Sequence, residues 1–537
     1  MRSTRRIALA LGTTLALALA GCGGTQTHDN HETVISSGSP PPAMNVPRDE
    51  EMRAPHAVTH RAIPLVEMRN EASPLVTIRI VFESGSADDP SGKEGLAYLA
   101  ARLMAEGGTE SLTYEELTRR LFPMAARIDY NVDRDMTVFV GQVHRDHLAQ
   151  FYPLLRDVLL HPRMAEEDFR RVRSQTASSL TTELRGADDE ALSREFLQTL
   201  VYANHPYGHP TLGTERGLAA STVADARGAR ARIYCRDRVM VGLAGGYPAE
   251  LAAQVRTDME SLPANCAPAV TLAHAQRPHG VHVVVIEKPD AASTAIAFGF
   301  PVEYTRSSED FPAVQFATNY LGLHRQSSGV LYHSIREERG LNYGDYAYAE
   351  YFEQSGWSRF PRTNIQRREQ YASIWIRPVR PPTAHFALRA AVRALTGLME
   401  HGIPAEDFTR QQTFQSGYVN LFAQTESDRL GYAIDDQWNH LATPYAERLR
   451  TAWSHLDREQ AQAAARRYLT AQDLWIAIVA ADARALADAI GNNTPSPITY
   501  DSPKPAEILA EDREIQAFPL AVRPEDVRVV PLAEVFR

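Results

Sequence analysis

The sequence predicts an α+β protein of two homologous domains, and three observations support this fold class. Apolar runs with a period of two, such as 137-TVFVGQV-143 and 372-ASIWIRPV-379, indicate β-strands. These runs alternate with long amphipathic stretches such as 148-LAQFYPLLRDVLL-160, which indicate helices. Segments of the first half also recur, in order, in the second half. Strands and helices at this spacing favour, in each domain, a mainly antiparallel sheet that helices cover on one side.

Three pairs of segments carry the repeat, and the pairs keep their order along the chain. They are 76–86 with 294–304, 164–175 with 404–415, and 232–246 with 466–480. The offset between partners grows by roughly 20 residues, as a single insertion in the second domain would produce. We place that insertion at 345–370, a stretch rich in Tyr, Arg and Glu.

Length and composition narrow the class of protein. A chain of 537 residues is too long for one ordinary domain. The hydrophobic fraction of 44% and the charged fraction of 23% are typical of a soluble globular protein. The net charge of −10, without a basic stripe, argues against nucleic-acid binding.

The N-terminus has the pattern of an export signal. Three arginines precede the apolar run Ile7–Ala20, which is too short for a stable membrane span. The run leads into 19-LAGC-22, which resembles the lipobox of a bacterial lipoprotein. This resemblance implies removal of residues 1–21, acylation of Cys22 and anchoring in the cell envelope. Gly23, where Asp would retain the protein at the inner membrane, favours the outer membrane; the alternative is an ordinary signal peptide.

Composition divides the rest of the chain. Residues 22–55 are rich in Pro, Ser, Gly, Asp and His without apolar periodicity, and we interpret them as a flexible tether. The two domains are placed at 56–265 and 281–494, with a linker at 266–280 where Pro, Ala and His cluster. The proline-broken stretch 495–537 is predicted to be an extended C-terminal tail.

Two further cysteines, Cys235 and Cys266, would lie in a compartment that permits disulfides. Cys235 precedes the strand-like run Val239–Ala244, and Cys266 follows the helix-like run Ala249–Leu262. A helix that packs back along its strand would end near the start of that strand, which would bring the two sulfurs together. A disulfide and a pair of separate buried thiols are both compatible with this pattern.

Two such halves, each with a strand and a following helix, resemble the pitrilysin/insulinase family of zinc peptidases. The resemblance runs from about residue 60 to the C-terminus and is carried by three motifs in the expected order. They are 83-ESGSADDPSGKEGLAYL-99, 204-NHPYGHPTLGTE-215 and 335-IREERGLNY-343. It implies two homologous insulinase-type domains.

Active members of that family carry His-x-x-Glu-His on the helix that begins with "GLA". Two imidazoles at i and i+4 lie on one helical face and bind zinc, while the Glu activates a zinc-bound water. The corresponding positions here are Tyr98, Ala101 and Arg102. A neutral phenol is a poor zinc ligand, a methyl group cannot accept a proton, and a guanidinium repels a dication. The resemblance therefore implies a degenerate motif, with zinc expected only in a partner chain.

Other candidate ligands are weaker. The family's third ligand, a Glu on a later helix, falls near Ser179–Glu183, and a carboxylate alone would bind zinc weakly. His144 with His147, and His205 with His209, lack a spacing that guarantees a shared face. Surface or capping histidines are the competing interpretation for both pairs, and we predict no metal site in this chain.

The second half retains a different family feature. In members that work as paired chains, the partner of the zinc-bearing chain supplies an Arg and a Tyr, seven residues apart, that hold the substrate backbone. Arg336 and Tyr343 occupy these positions here. Arg offers a rigid fork of donors to carbonyl oxygens, and a Tyr hydroxyl can stabilise a developing oxyanion. The alternative is structural, with a solvated Arg336, Gly340 as a helix C-cap and Tyr343 in the core.

Two positions depart from the family pattern. The usual Gly-Gly stretch before this helix is replaced by 321-LGLHRQSSGVLYHSI-335. The usual substrate-contacting Asn falls on Asp129. Both departures concern the contacts that the family makes with peptide substrates.

From these residues we predict a non-catalytic, substrate-binding partner subunit of a heteromeric insulinase-type zinc peptidase. The subunit would be lipid-anchored in the cell envelope, at the outer membrane, and would form a heterodimer with a zinc-bearing chain. Its substrate would be a peptide or an unfolded protein segment. Two alternatives are an active metallopeptidase with relocated metal ligands, and an envelope scaffold or peptide-binding lipoprotein without catalysis.

Overall fold

The computed structural model describes residues 62–264, 266–354, 356 and 358–537. The predicted signal peptide, Cys22 and the tether lie outside the described residues. Within the described part of the chain, every helix is too short or too polar to cross a bilayer.

The N-terminal half is built on a five-stranded sheet. Its strands are β1 (Leu65–Arg69), β2 (Leu75–Phe82), β3 (Arg127–Val132), β4 (Thr137–His144) and β5 (Val239–Gly245). Their order in the sheet is β1-β5-β2-β4-β3, with β1 parallel to β5 and the remaining pairs antiparallel. The helices are α1 (Leu96–Glu106), α2 (Tyr114–Leu121), α3 (Leu148–Leu160), α4 (Glu166–Ser178), α5 (Asp189–Val201), α6 (Glu215–Ala220), α7 (Val223–Ile233) and α8 (Leu251–Met259).

The C-terminal half is built on a six-stranded sheet. Its strands are β6 (Val281–Glu287), β7 (Thr294–Val302), β8 (Asp345–Tyr348), β9 (Gln370–Val379), β10 (Leu474–Ala480) and β11 (Val522–Pro531). Their order is β11-β6-β10-β7-β9-β8, parallel on either side of β6 and antiparallel elsewhere. The helices are α9 (Phe311–Gly322), α10 (Ala384–His401), α11 (Ala405–Tyr418), α12 (Glu426–Trp438), α13 (Tyr445–His455), α14 (Arg458–Tyr468), α15 (Ala483–Gly491) and α16 (Ala506–Ile515).

The two sheets have the same topology once β11 is set aside. The order β1-β5-β2-β4-β3 in the first half becomes β6-β10-β7-β9-β8 in the second, with the same parallel pair at one edge. The three sequence repeats fall on equivalent elements: β2 with β7, α4 with α11, and β5 with β10. The predicted α+β fold of two homologous, mainly antiparallel domains is confirmed.

Alternating side chains along the central strands form two separate cores, one in each half. Apolar residues of β2 and β7 point to one face, where the helices of the same half cover them. They are Val76, Ile78, Ile80 and Phe82 in β2, and Ile296, Phe298 and Phe300 in β7.

The opposite face of each sheet is covered by a helix from the other half, which the sequence pattern did not predict. Helix α12 of the C-terminal half packs on β1 and β5, where Leu430 and Ile434 contact Gly242. Helix α5 of the N-terminal half packs on β7 and β10, where Leu197 is buried beside Ala477. Because α5 and α12 are equivalent in the repeat, the covering is reciprocal.

Within the predicted insertion at 345–370, β8 is the equivalent of β3 in the first half, so the inserted part is the long loop from β8 to β9. The end of this loop carries Arg367, whose guanidinium makes two hydrogen bonds of 2.6 Å to the Asp133 carboxylate of the first half. Arg368 next to it pairs with Asp135 at 2.7 Å. The inserted loop therefore joins the two halves through two ion pairs, of which Arg367–Asp133 is buried and Arg368–Asp135 is partly exposed.

The prediction of an extended tail over 495–537 is wrong for most of that stretch. Helix α16 forms directly after Pro505, which is its N-cap residue and has a non-helical ψ of 150°. Strand β11 then extends the second sheet alongside β6. Beyond it, Val535 and Phe536 are buried in the core of the N-terminal half. The C-terminal segment is thus a structural part of both halves.

Cys235 and Cys266 are joined in a disulfide, with a Cα–Cα distance of 5.7 Å. The bond ties Cys235, just before the 3₁₀ turn Arg236–Arg238 that leads into β5, to the first residue of the linker. Residues 266–278 of the predicted linker form neither helix nor strand.

Candidate functional site

Helix α1, which carries the three degenerate motif positions, starts at a glycine for a steric reason. Gly95 has a φ of +100°, in the left-handed region, and a Cβ there would lie 2.6 Å from the Leu212 carbonyl oxygen. The buried Asp89 carboxylate accepts hydrogen bonds from the backbone N–H groups of Gly95 (2.7 Å) and Ala97 (2.6 Å). These contacts fix the start of α1 and so the direction of its side chains.

Arg102 is tied into a polar network where the family has a histidine. Its guanidinium bonds to Glu106 one turn along α1 (3.1 Å), and to Thr176 (3.2 Å) and Gln175 (3.1 Å) on α4. The Tyr130 hydroxyl of β3 donates to the other oxygen of the same Glu106 carboxylate at 3.0 Å. A hydrogen-bonded cation therefore occupies the family's metal-facing position.

The other two motif positions are also filled by groups unsuited to zinc. Ala101 is completely buried among core side chains and presents a methyl group. Tyr98 is partly buried, and its ring centroid lies 6.2 Å from that of Tyr130. Burial, together with Tyr98 and Glu106, raises the pKa of the Tyr130 hydroxyl far above its usual value, so it stays protonated. Neutral phenols and a guanidinium are not zinc ligands, and the residues present do not fit the family's metal.

The segment that would carry the third family ligand follows α4 without a break. It forms a π-helical stretch, Ser179–Ala187, and Glu183 lies exposed within it. Single π-helical turns are frequent at functional sites, but here Arg185 of the segment bonds to Glu215 and to the Val535 carbonyl oxygen. Across the described residues, no group of three or more His, Cys, Asp or Glu side chains is placed to hold a metal ion.

The two histidine pairs have local roles. The His144 Nδ1 accepts a hydrogen bond from the backbone N–H of Asp146, and its ring lies 6.4 Å from that of His147. His205 packs against the rings of Tyr202 and Tyr207. These contacts correspond to capping and packing.

His209 is buried in the loop before α6, apart from His205. Burial, with the nearby Arg134 guanidinium, lowers the pKa of its imidazole to about 4. Its Nδ1 lies 2.9 Å from the Pro210 carbonyl oxygen, which favours the tautomer that carries the proton on Nδ1.

Arg336 and Tyr343 lie together at the surface of the C-terminal half. Arg336 belongs to a short π-helical segment, Tyr332–Glu337, and its guanidinium carbon lies 5.5 Å from the centre of the Tyr343 ring. Tyr343 is 80% exposed, so the suggestion that it is a core aromatic is wrong. Gly340 has a φ of +67° and ends the segment, as a glycine C-cap does. The arrangement offers a guanidinium and a phenol to an external ligand.

Asp129 lies on the edge strand β3 and is exposed. It forms an ion pair with Arg127 at 3.0 Å across one face of the strand. Within the described residues, no hydrogen bond or ring contact joins Asp129, Tyr98 or Arg102 to the Arg336–Tyr343 pair.

Sequence reasoning missed the partners of Arg102. Glu106 could have been found, because a carboxylate four residues after an arginine lies on the same helical face. Gln175, Thr176 and Tyr130 could not, because they reach α1 from other elements through the tertiary fold.

The fold and the altered helix define an insulinase-type protein, and family models agree. A model described as insulinase (peptidase family M16) matches residues 65–215, and one described as the peptidase M16 inactive domain matches 221–413. The chain belongs to the insulinase family, peptidase family M16.

Three similar proteins place the chain among its relatives. A Mycobacterium leprae protein named as an uncharacterized zinc protease is 27% identical over 274 residues, 51% of this chain and 60% of that protein. The mitochondrial-processing peptidase subunit alpha of Bos taurus is 24% identical over 143 residues, 27% of each chain. The crystal structure of a peptidase M16 inactive domain from Pseudomonas fluorescens has a TM-score of 0.66 at 20% identity, covering 77% of this chain and 94% of that one.

The coverage and the sequence identity determine what these similarities show. The chain spans about 60% of the length of the mycobacterial relative. At 20% identity, the structural similarity shows the fold.

Proposed function

We propose that this protein is the non-catalytic, substrate-binding subunit of a heteromeric insulinase-type zinc peptidase. A separate chain with an intact His-x-x-Glu-His helix supplies the zinc and the general base. Arg336 and Tyr343 of this chain bind the backbone of a peptide or unfolded segment. Cys22 anchors the subunit by lipid in the cell envelope, at the outer membrane.

The proposal that this chain is not catalytic is based mainly on Arg102. Its guanidinium has three hydrogen-bonding partners, so it stays in place and keeps its charge where the family binds a dication. Burial acts to lower the pKa of Arg102, but Tyr130 and Glu106 outweigh it and raise that pKa above its usual value. A fixed positive charge and a buried methyl group together remove both zinc binding and proton transfer.

The substrate role rests on the Arg336–Tyr343 pair, in which Tyr343 is exposed and Arg336 is half-buried, and this is the observation that carries the proposal. A peptide carbonyl can accept hydrogen bonds from both a guanidinium and a phenol, and the pair offers both from positions that are 5.5 Å apart. Among the described residues, the side chains of Arg336 and Tyr343 contact each other and form no ion pair elsewhere. Both remain available to a ligand from outside.

The proposal of a partner chain is based on similarity to a known protein. A relative of this chain is named as a subunit of the mitochondrial-processing peptidase, so the fold occurs in a multi-subunit peptidase. A chain that has lost its metal ligands but keeps substrate-contacting groups would act beside a chain that supplies the metal.

The proposal is tested on the full-length chain purified with its partners from detergent-solubilised envelopes of its own cells. We expect a second chain with His-x-x-Glu-His in equal amount, bound zinc, and chelator-sensitive cleavage of a quenched fluorescent peptide. In this complex R336A should lower kcat/KM about tenfold or more without releasing the partner. The matched control is R380A, since Arg380 is exposed and its side chain has no described partner.

Each of three results would contradict a part of this proposal. Full activity of the R336A complex would remove the substrate role. Tightly bound zinc and peptidase activity in the isolated chain would favour relocated metal ligands. Recovery of the chain with no zinc-bearing partner would favour an envelope scaffold or peptide-binding lipoprotein.

The anchor has its own test. C22S should move the protein from the membrane fraction to the soluble fraction of the envelope, because the acyl chains supply the membrane affinity. Continued membrane association of C22S would contradict lipid anchoring and leave the subunit role untouched.

A further inference from the structure

We propose that Arg339 is a positioning residue for the Arg336–Tyr343 pair, and that the C-terminal segment 500–515 holds Arg339 in place. The functional consequence rests on the proposed substrate role, whereas the structural part concerns this chain alone.

Arg339 lies three residues after Arg336 and points inward, whereas Tyr343 points to solvent. Its side chain is almost fully buried. One guanidinium nitrogen, Nη1, donates to the Ser334 carbonyl oxygen and to the Glu338 carboxylate, both at 2.8 Å. Arg339 therefore ties together the π-helical segment from which Arg336 projects.

The other guanidinium nitrogens reach two acids on α16. The Arg339 Nε donates to Asp512 at 2.8 Å, and Nη2 donates to Glu511 at 2.7 Å. Burial acts to lower the pKa of Arg339, but these two carboxylates outweigh it and raise that pKa. A buried guanidinium needs such partners, because an unpaired buried charge is strongly destabilising.

Helix α16 is in turn fixed from both sides. Arg393 on α10 bonds to Glu511 and to Glu514, both at 2.8 Å. The Tyr500 hydroxyl donates to the second oxygen of Asp512 at 2.8 Å. The Lys504 ammonium donates to the Glu338 carbonyl oxygen. Segment 500–515 thus forms a rigid acidic support beneath the π-helical segment.

The Tyr343 end of the pair is fixed separately. The buried Asn342 side chain donates to Asp345 at 2.6 Å and to the Arg377 carbonyl oxygen at 3.1 Å. Its own oxygen accepts from the backbone N–H of Gly344 at 3.2 Å. With both ends of the loop tied down, Arg336 and Tyr343 are presented to solvent on a fixed base. Contacts that are held in place before binding lose less entropy when the ligand arrives.

The first test measures hydrogen–deuterium exchange in the full-length chain without any partner. D512N and E511Q keep the size of the side chain and remove the charge that holds Arg339. We expect amides in 332–343 to exchange about tenfold faster or more in D512N, the loss expected for a charge-assisted hydrogen bond. E514Q is the matched control, because Glu514 is on the same helix, is mostly exposed and pairs with Arg393 but not Arg339.

Unchanged exchange in 332–343 for D512N and E511Q, or an equal increase for E514Q, would overturn the inference. Circular dichroism and melting temperature establish that each variant is folded. If D512N does not fold, E511Q alone decides the question, because Glu511 is only partly buried and keeps a second arginine partner.

The second test measures kcat and KM in the complex described above. If Arg339 acts through Arg336, D512N should raise KM several-fold, and R336A/D512N should be no worse than R336A alone. Additive losses would indicate a structural effect independent of Arg336. If exchange responds but R336A has no kinetic effect, the support by segment 500–515 stands and the proposed substrate role fails.

Discussion

Arg367 and Asp133, 234 residues apart, form a two-pronged ion pair between the halves of the molecule. Both side chains are almost completely buried, with 1% and 3% of their surface exposed. The Arg367 guanidinium also stacks over the Tyr351 ring and bonds to Gln198 on α5. The pair therefore lies at the centre of the contact between the inserted loop and the first half.

Removing one partner of this pair should strongly destabilise the folded protein. In D133N the buried Arg367 loses its counter-charge, and we expect the free energy of unfolding to fall by about 3–5 kcal/mol. E115Q is the control, because its pair with Arg119 is exposed and should contribute under about 0.5 kcal/mol. Urea denaturation measures both. A loss in D133N no larger than that in E115Q would show that the pair does not hold the halves together.

The buried Asp435 should make stability depend on pH. Burial raises the pKa of its carboxyl to about 7 from an ordinary value of 3.8, although Arg306 lies 3.6 Å away. Between these two values the folded protein keeps a proton that the unfolded chain releases. The contribution of Asp435 to the free energy of unfolding therefore falls as the pH rises from about 4 to about 7, by up to about 1.4 kcal/mol per pH unit.

D435N removes this titration, so its unfolding free energy should depend less steeply on pH than that of the wild type between about pH 4 and 7. The measurement is a series of denaturant titrations across that range. D501N, at an exposed carboxylate, should reproduce the wild-type slope. Identical slopes for D435N and the wild type would contradict the raised pKa.

Zinc binding by helix α1 can be compared directly between the wild-type chain and two variants. The isolated wild-type chain, saturated with zinc and then desalted, should retain far less than one zinc per molecule. R102A should behave alike, because removing the charge does not create a ligand. Y98H/R102H restores two imidazoles at i and i+4 and should retain more zinc than either. Stoichiometric zinc in the wild type would reject the interpretation of α1.

The disulfide should contribute measurably to stability. Cys235 and Cys266 are 31 residues apart, and the chain-entropy model gives about 3–4 kcal/mol for a loop of that length. C235S/C266S should therefore lower the free energy of unfolding by up to this amount. Reduction of the wild type with a thiol should lower the free energy of unfolding by the same amount. The same treatment should cause no further loss in the double variant. A variant as stable as the oxidised protein would show that the linker is held without the bond.

The features that could be predicted from sequence are those carried by local patterns. The repeat follows from segments that recur in order, the strands and helices follow from apolar periodicity, and the replacement of the family's histidines by Tyr98 and Arg102 follows from the family resemblance. The juxtaposition of Arg336 and Tyr343 is likewise local, because seven residues separate them. The strands, the helices and the Arg336–Tyr343 pair are each set by residues that lie close together in the chain.

The features that could not be predicted depend on distant contacts. Arg102 finds Thr176 only because α4 packs on α1, and Arg339 finds Asp512 only because the C-terminal segment returns to the second half. The prolines of the C-terminal segment break its sequence pattern, so that pattern does not predict the helix and the strand that the segment forms. Pro505 begins a helix, whereas Pro524 and Pro531 are compatible with β11 because that strand lies at a sheet edge.

The exchange of α5 and α12 between the halves has a consequence for how such a chain can be divided. A gene cut at the linker would yield two fragments. Each fragment would expose to solvent the apolar face of its sheet that a helix of the other half covers. Such fragments should precipitate when made alone and dissolve when made together. Each half therefore depends on the other to keep its sheet out of water.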